Sequence, residues 1–323
     1  MGKGNHHANS DQRLGIILLL ILSALLLVSN PQRGAAAQPK SAVTVPLVSA
    51  EVSPIDEMGI SDDAYAAVRR PPGDGPFPAV IFLHGGLGHT SMERLCKDAM
   101  TGSTHARFLA WGYVTVNATR RDISHDPQDR GVVEDTLAIV RKVKQLPYVD
   151  PDSVVLYGGS GGGTLALEVG GKAKLAAVAA GEPATIIYMG MFTKEHRAEG
   201  SLIAADRLKE FINADVETLY TPKLRAHTRR KLAEIQCPVL ILHGDQHWLR
   251  RFNLDVFVPE MKTLGKSVEV RIYPGENHGF YWGRSKNPAM PLKANQDAHG
   301  FFREHIKTQP KPIRCIADQA APG

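Results

Sequence analysis

The run Val154-Val155-Leu156-Tyr157-Gly158-Gly159-Ser160-Gly161-Gly162-Gly163 constrains this chain more than any other feature. Its first four residues read as a buried strand, and Thr164-Leu165-Ala166-Leu167 continues as a helix. Glycines on both sides of Ser160 permit the cramped strand-to-helix turn that points a serine side chain out of a sheet, above a helix N-terminus. Two phosphate-binding readings fail. A Walker loop needs Lys before the Ser or Thr that follows its last Gly, and Gly163-Thr164 lacks it. A dinucleotide fingerprint sits on the first strand with an acidic residue about 20 positions on, a context missing here. The run therefore reads as the seat of a serine nucleophile.

The rest of the chain alternates short apolar, β-branched runs with longer helical patterns. Strands are expected at 65–68, 79–83, 113–117, 154–157, 175–179, 239–242 and 268–273, and helices at 91–111, 132–146, 161–169, 252–264 and 294–306. Several strands are almost continuously apolar, as strands covered on both faces must be. The alternation predicts an α/β domain, one mainly parallel sheet with helices on both faces. Between the strands near 175–180 and 239–242 lie almost 60 residues rich in charge and helix formers. A structureless loop of that length is unusual, so they are expected to form a helical insertion.

Residues 14–28 form a charge-free apolar run, preceded by Lys3 and Arg13 and followed by Gly34-Ala35-Ala36-Ala37-Gln38, the three-part layout of an export signal. A span needs about 20 apolar residues, so cleavage near Ala37 and export, periplasmic or extracellular, is expected ahead of a membrane anchor through 14–28. The expected organisation is a signal at 1–37, a polar segment at 38–64, a catalytic domain at 65–308 and a tail at 309–323. The net charge of +5 falls to +3 without the signal and shows no dense Lys/Arg run, so nucleic acid is not an expected partner. Membrane contact is expected only if the signal is uncleaved. Cys96, Cys237 and Cys315 permit at most one bridge, with no pair singled out, and none lies in a CxxC pattern.

Two further motifs complete a chemistry. His84-Gly85-Gly86 follows the apolar strand at 79–83, where the N–H groups of Gly85 and Gly86, with that of Gly161, are candidates to hold a developing oxyanion. His278, on a loop after the last strand, is the candidate base, since a serine hydroxyl needs an imidazole near neutral pKa to accept its proton. Arg120 and Arg121 follow the strand at 113–117 and are candidate ligands for a substrate carboxylate, the alternative being a solvated pair. Phe280, Tyr281 and Trp282 are read as packing beside His278.

With these motifs in this order, the chain from about Ala66 to Ile306 resembles an α/β-hydrolase of the dienelactone hydrolase and prolyl oligopeptidase catalytic-domain group. The matching residues are Phe77-Pro78-Ala79-Val80-Ile81-Phe82-Leu83-His84-Gly85-Gly86, Glu134-Asp135, Val149-Asp150-Pro151, Gly158 to Gly162, Leu242-His243-Gly244-Asp245 and Gly275 to Phe280. The resemblance implies a free-standing serine hydrolase acting through an acyl-enzyme on carboxylic esters or small amide or peptide bonds, without a cofactor or a metal. The segment before Ala66 is too short for the substrate-screening propeller of the peptidases. Dienelactone hydrolases carry a Cys where Ser160 stands.

The acid of the triad departs from the pattern. Relatives commonly read His-Gly, two intervening residues, then the acid; after His243-Gly244, Asp245 and Gln246 intervene and that position holds His247. Asp245, on the same loop, is favoured, and Glu182, past the strand near 175–180, is the rival. Without a carboxylate on His278 the protein would be an impaired or non-catalytic hydrolase-like binding protein. A metal set drawn from His84, His89, His243, His247 and Asp245 is disfavoured, because His243 ends a strand and does not share a helix face with His247.

Overall fold

Strand β3 (Phe77–Leu83) shows how the sheet is built. Ala79, Ile81 and Leu83 enter one hydrophobic core while Val80 and Phe82 enter another, so a continuous apolar run is buried on both faces. Strand β5 (Val149–Gly159) divides the same way, Val154 and Leu156 against Val155 and Tyr157. Burying each of these larger side chains contributes about 1.5–3 kcal/mol. The computed structural model describes residues 56–61, 64–86, 91–119, 130–192 and 211–313, all within the compact unit Val45–Gly323.

The remaining strands are β1 (Asp56–Ser61), β2 (Ala64–Arg69), β4 (Val114–Ala118), β6 (Ala177–Gly181), β7 (Val239–Gly244) and β8 (Val268–Tyr273). The sheet has eight strands in the order β1-β2-β4-β3-β5-β6-β7-β8. β1–β2 and β2–β4 pair antiparallel, and every other neighbour pair is parallel. The order reverses direction at β3, so the loops leaving the carboxyl ends of β3 and β5 open a crevice, the usual place for a ligand in such a sheet.

The helices are α1 (Met92–Thr101), α2 (Ser103–Ala110), α3 (Arg130–Gln145), α4 (Gly161–Gly170), α5 (Thr185–Tyr188), α6 (Val216–Leu219), α7 (Pro222–Glu234), α8 (Arg250–Phe252), α9 (Val258–Thr263) and α10 (Met290–His305). A π-helical stretch, Asn253–Phe257, joins α8 to α9. Helix α4 is buried along its whole length, which suits its Gly, Ala, Leu and Val composition; its one charge, Glu168, pairs with Lys231 of α7.

Two features differ from the expected elements. The single helix over 91–111 is two, divided at Gly102, whose extended backbone caps α1 and whose N–H donates to Asp98 O at 2.8 Å. Strand β1 lies in the stretch expected as a polar lead-in. Its sequence DEMGIS has no apolar alternation, and edge pairing with β2 holds it through the backbone. The expected insertion between β6 and β7 is helical where it is described: α7 is capped by Thr221 Oγ1, opens on Pro222 and ties to α9 through Arg229 and Glu260 at 2.6 Å.

The expected export signal at 1–37 and Cys315 lie outside the described residues. Among the described residues, no helix is long and apolar enough to cross a membrane. Cys237 is a buried thiol whose pKa burial raises to about 11.

Candidate active site

Ser160 closes β5 with φ 55° and ψ −120°, and its N–H donates to Gly181 O on β6 at 2.8 Å. A positive φ in a non-glycine residue costs about 1–3 kcal/mol and persists only where the surroundings enforce it. Here the neighbours do. A Cβ on Gly162 would meet Leu83 O at 2.1 Å, and one on Gly159 would meet Trp282 Nε1 at 2.3 Å, so the turn is wedged between β3 and the loop after β8.

The other positive-φ residue outside glycine among the described residues is Glu182, at 41°, directly past β6. Its N–H donates to Leu242 O at 2.8 Å, and its fully buried side chain crosses the end of β7. Oε1 accepts from Gly244 N at 3.1 Å, Oε2 accepts from Gly279 N at 2.9 Å, and Oε2 lies 3.1 Å from His278 Nδ1. The last distance is that of a hydrogen bond, although the ring N–H is not aligned on the oxygen, a looseness common in sites without substrate. Burial pushes the Glu182 carboxyl up, but the contact with His278, the neighbouring His247 ring and the Gly279 N–H outweigh it. The carboxyl ends below its ordinary value.

Asp245, favoured from spacing as the acid, is elsewhere. Its Oδ1 accepts from Gly275 N at 2.8 Å and from Gln246 Nε2 at 2.9 Å, and the side chain faces solvent, bracing the β7 loop against the loop that carries His278. Those bonds, with that of Gln246 first, hold its carboxyl below the usual value. The carboxylate that meets His278 is that of Glu182, because the turn after β6 throws it across β7, whereas the β7 loop carries Asp245 outward. His247 stacks on His278 with ring centroids 4.4 Å apart and planes at 27°. Burial first, then the adjacent His278, lowers its pKa to about 3, so it is a neutral ring.

Ser160, His278, Gly85 and Gly86 line one cavity of about 600 Å³. Gly85 approaches Ser160 closely enough that a Cβ there would lie 3.6 Å from the Ser160 Cβ. Gly161 opens α4, and an N–H in the first turn of a helix needs an acceptor outside it. The structure thus brings Ser160, His278, Glu182, Gly85, Gly86 and Gly161 to the carboxyl end of the sheet. Arg120, Arg121 and His89 lie outside the described residues. The side chains of His84, His243, His247 and Asp245 do not converge as a metal site.

Further lining residues were not singled out beforehand: His105, Asn117 and Arg284. Trp282, expected as packing, also lines the cavity, stacked on His105 with planes at 8°. No local motif marks His105 or Asn117, since each reaches the cavity by packing across α2 and β4. A second cavity, about 570 Å³, lies away from Ser160 and is bounded by ion-paired side chains, among them Lys172 with Glu234.

Residues 120–309, more than half of the chain, match the model of the prolyl oligopeptidase family. The chain belongs to that family. It is a serine hydrolase with the α/β-hydrolase fold. Among curated relatives of this prolyl oligopeptidase family member is the esterase LipU of Mycobacterium tuberculosis, 24% identical over 260 residues, covering 72% of this chain and 80% of that protein. Among solved structures, the phosphonylated esterase 2 of Thermogutta terrifontis superposes with a TM-score of 0.55 at 18% identity, over 79% of this chain and 96% of that one. An esterase of Rhizomucor miehei gives 0.56 at 20% identity, over 79% and 85%. At these identities the likeness to solved structures speaks for the fold.

Several histidine rings of this family member titrate below their ordinary range, which gives their share of its acid response a definite sign. Burial lowers His105 and His299 to about 4 and His247 to about 3, from an ordinary 6.5. Folded values below unfolded ones mean that the unfolded chain takes up protons first. Their contribution is complete above pH 6.5 and is lost as pH falls toward 4. Melting temperatures measured across that window should fall steadily on acidification. A melting temperature that rises between pH 6.5 and 4 contradicts the burial of these rings.

Proposed function

We propose that the protein is a serine esterase in which Ser160 attacks the ester carbonyl, His278 takes its proton, and Glu182 holds the imidazole. The observation that carries this reading is the convergence, at one end of the sheet, of a strained Ser160 with a His278 whose Nδ1 lies 3.1 Å from a buried carboxylate. Glu182 fixes the tautomer that leaves Nε2 free to accept the serine proton, and it stabilises the imidazolium once formed. The oxyanion that develops at the carbonyl is held by N–H groups of Gly85 or Gly86 and of Gly161. His278 then returns the proton to the leaving alcohol, which departs and leaves an acyl group on Ser160 Oγ. Water, deprotonated by the same imidazole, releases the acid.

Glu182 answers the reading as an impaired binding protein, since His278 has its carboxylate although the family position holds His247. Ester cleavage is preferred to peptide cleavage because LipU and both structural relatives named above carry the name esterase. Turnover of p-nitrophenyl esters and of aminoacyl anilides decides between the bonds. Esters should be hydrolysed and anilides should not; anilides cleaved at comparable kcat/KM would make the protein a peptidase. Export through residues 14–28 with cleavage near Ala37 is part of the same proposal. The mass of the mature product tests it, an intact N-terminus in the membrane fraction being the contrary result.

A further inference from the structure

We infer that Glu182, His247 and His278 form an inhibitory site for a divalent transition metal, zinc above all, which switches the enzyme off by capturing its base. The inference rests on the triad proposed above. One ligand atom from each of the three side chains lies within 4.8 Å of the other two. Two imidazole nitrogens and one carboxylate oxygen are a ligand set that Zn²⁺ accepts, with bonds of about 2.0–2.2 Å and a fourth position left for water. Two tetrahedral ligands on such bonds stand about 3.3 Å apart, close to the 3.1 Å between Glu182 Oε2 and His278 Nδ1. The third ligand, a ring nitrogen of His247, lies within 4.8 Å of the other two atoms, and to bind the ion its ring turns out of the stack on His278.

A second observation points the same way. The Nδ1 atoms of His247 and His278 are both buried without an aligned hydrogen-bond partner, and His247 as a whole is only 8% exposed. Buried polar atoms usually have partners, and a metal ion supplies one. The route in is open, because His278 lines the active-site cavity and its side chain is one-third exposed.

The mode of inhibition follows from the proton. In the working tautomer Nδ1 carries the proton and Nε2 holds the lone pair that serves Ser160. A metal bonded to Nδ1 displaces the proton held there, which moves through solvent to the Nε2 lone pair. The neutral ring then presents an N–H to Ser160 and accepts nothing. Glu182 enters as the carboxylate and His247 as the neutral ring, and no oxidation or reduction is involved.

The test combines ZnCl₂ calorimetry with p-nitrophenyl ester turnover on the wild type and on His247→Phe, which keeps a ring against His278 but removes the ligand nitrogens. His247→Gln serves as a second variant, and melting curves establish that each folds. The wild type should bind one Zn²⁺, lose turnover as it binds and recover it with EDTA. In both variants binding and inhibition should weaken by at least about tenfold, the range for disturbing a zinc site. No binding by the wild type, or inhibition equally tight in the folded variants, overturns the inference. Binding that depends on His247 but leaves turnover intact also overturns it, because capture of the base is then excluded. Fluorophosphonate labelling of Ser160 without metal tests the triad separately: a protein that labels yet ignores zinc loses only the inference, and one that fails to label loses the triad.

Discussion

Glu182→Gln should lower kcat by about four orders of magnitude, the effect of giving a triad imidazole the wrong tautomer. Glutamine has the same shape, so it fits the fully buried position, and its carbonyl oxygen can still accept from Gly244 N or Gly279 N. What changes is the group facing His278. If the amide NH₂ points there, it requires an acceptor at Nδ1 and drives the ring proton to Nε2, where it blocks the serine. The companion variant Asp245→Asn should change turnover by no more than about twofold, as expected of a half-buried loop residue away from reacting atoms. Nearly full turnover in Glu182→Gln, with a large loss in Asp245→Asn, would return the role of acid to Asp245. Melting curves of both proteins separate a chemical loss from a structural one, since Glu182 also ties together the loops after β7 and β8.

Ser160→Ala should remove turnover almost entirely, by about 10⁶-fold, as removal of a catalytic serine does elsewhere. Alanine keeps the Cβ and so inherits the same strained φ of 55°, and the change leaves the backbone bond to Gly181 O untouched. The variant should therefore melt close to the wild type while losing all labelling by a fluorophosphonate probe. Labelling that persists in the folded variant places the nucleophile elsewhere. The two variants report different parts of the chemistry. In the proposed mechanism, loss of Ser160 removes the acyl-enzyme itself, whereas loss of the Glu182 charge leaves the nucleophile present but poorly activated.

The positions of strands β2 to β8 along the chain, the serine turn after β5 and the histidine after β8 were legible in the residues, because each is written locally. A strand covered on both faces must be apolar throughout, as at 79–83, and a turn as tight as the one at Ser160 needs glycine where backbones touch, as at Gly158 and Gly162. Where backbone pairing or a single cap decides the outcome, local pattern was silent: β1 has no apolar signature, and Gly102 divides a stretch whose periodicity runs on unbroken. The carboxylate facing His278 was beyond reach for a different reason. Asp245 and Glu182 both follow strands that end beside the histidine loop, and chain spacing favoured the first. Only the tertiary structure decided between them, because a side chain's direction past a strand end depends on backbone angles that neighbouring strands impose, here the φ of 41° that swings Glu182 across β7.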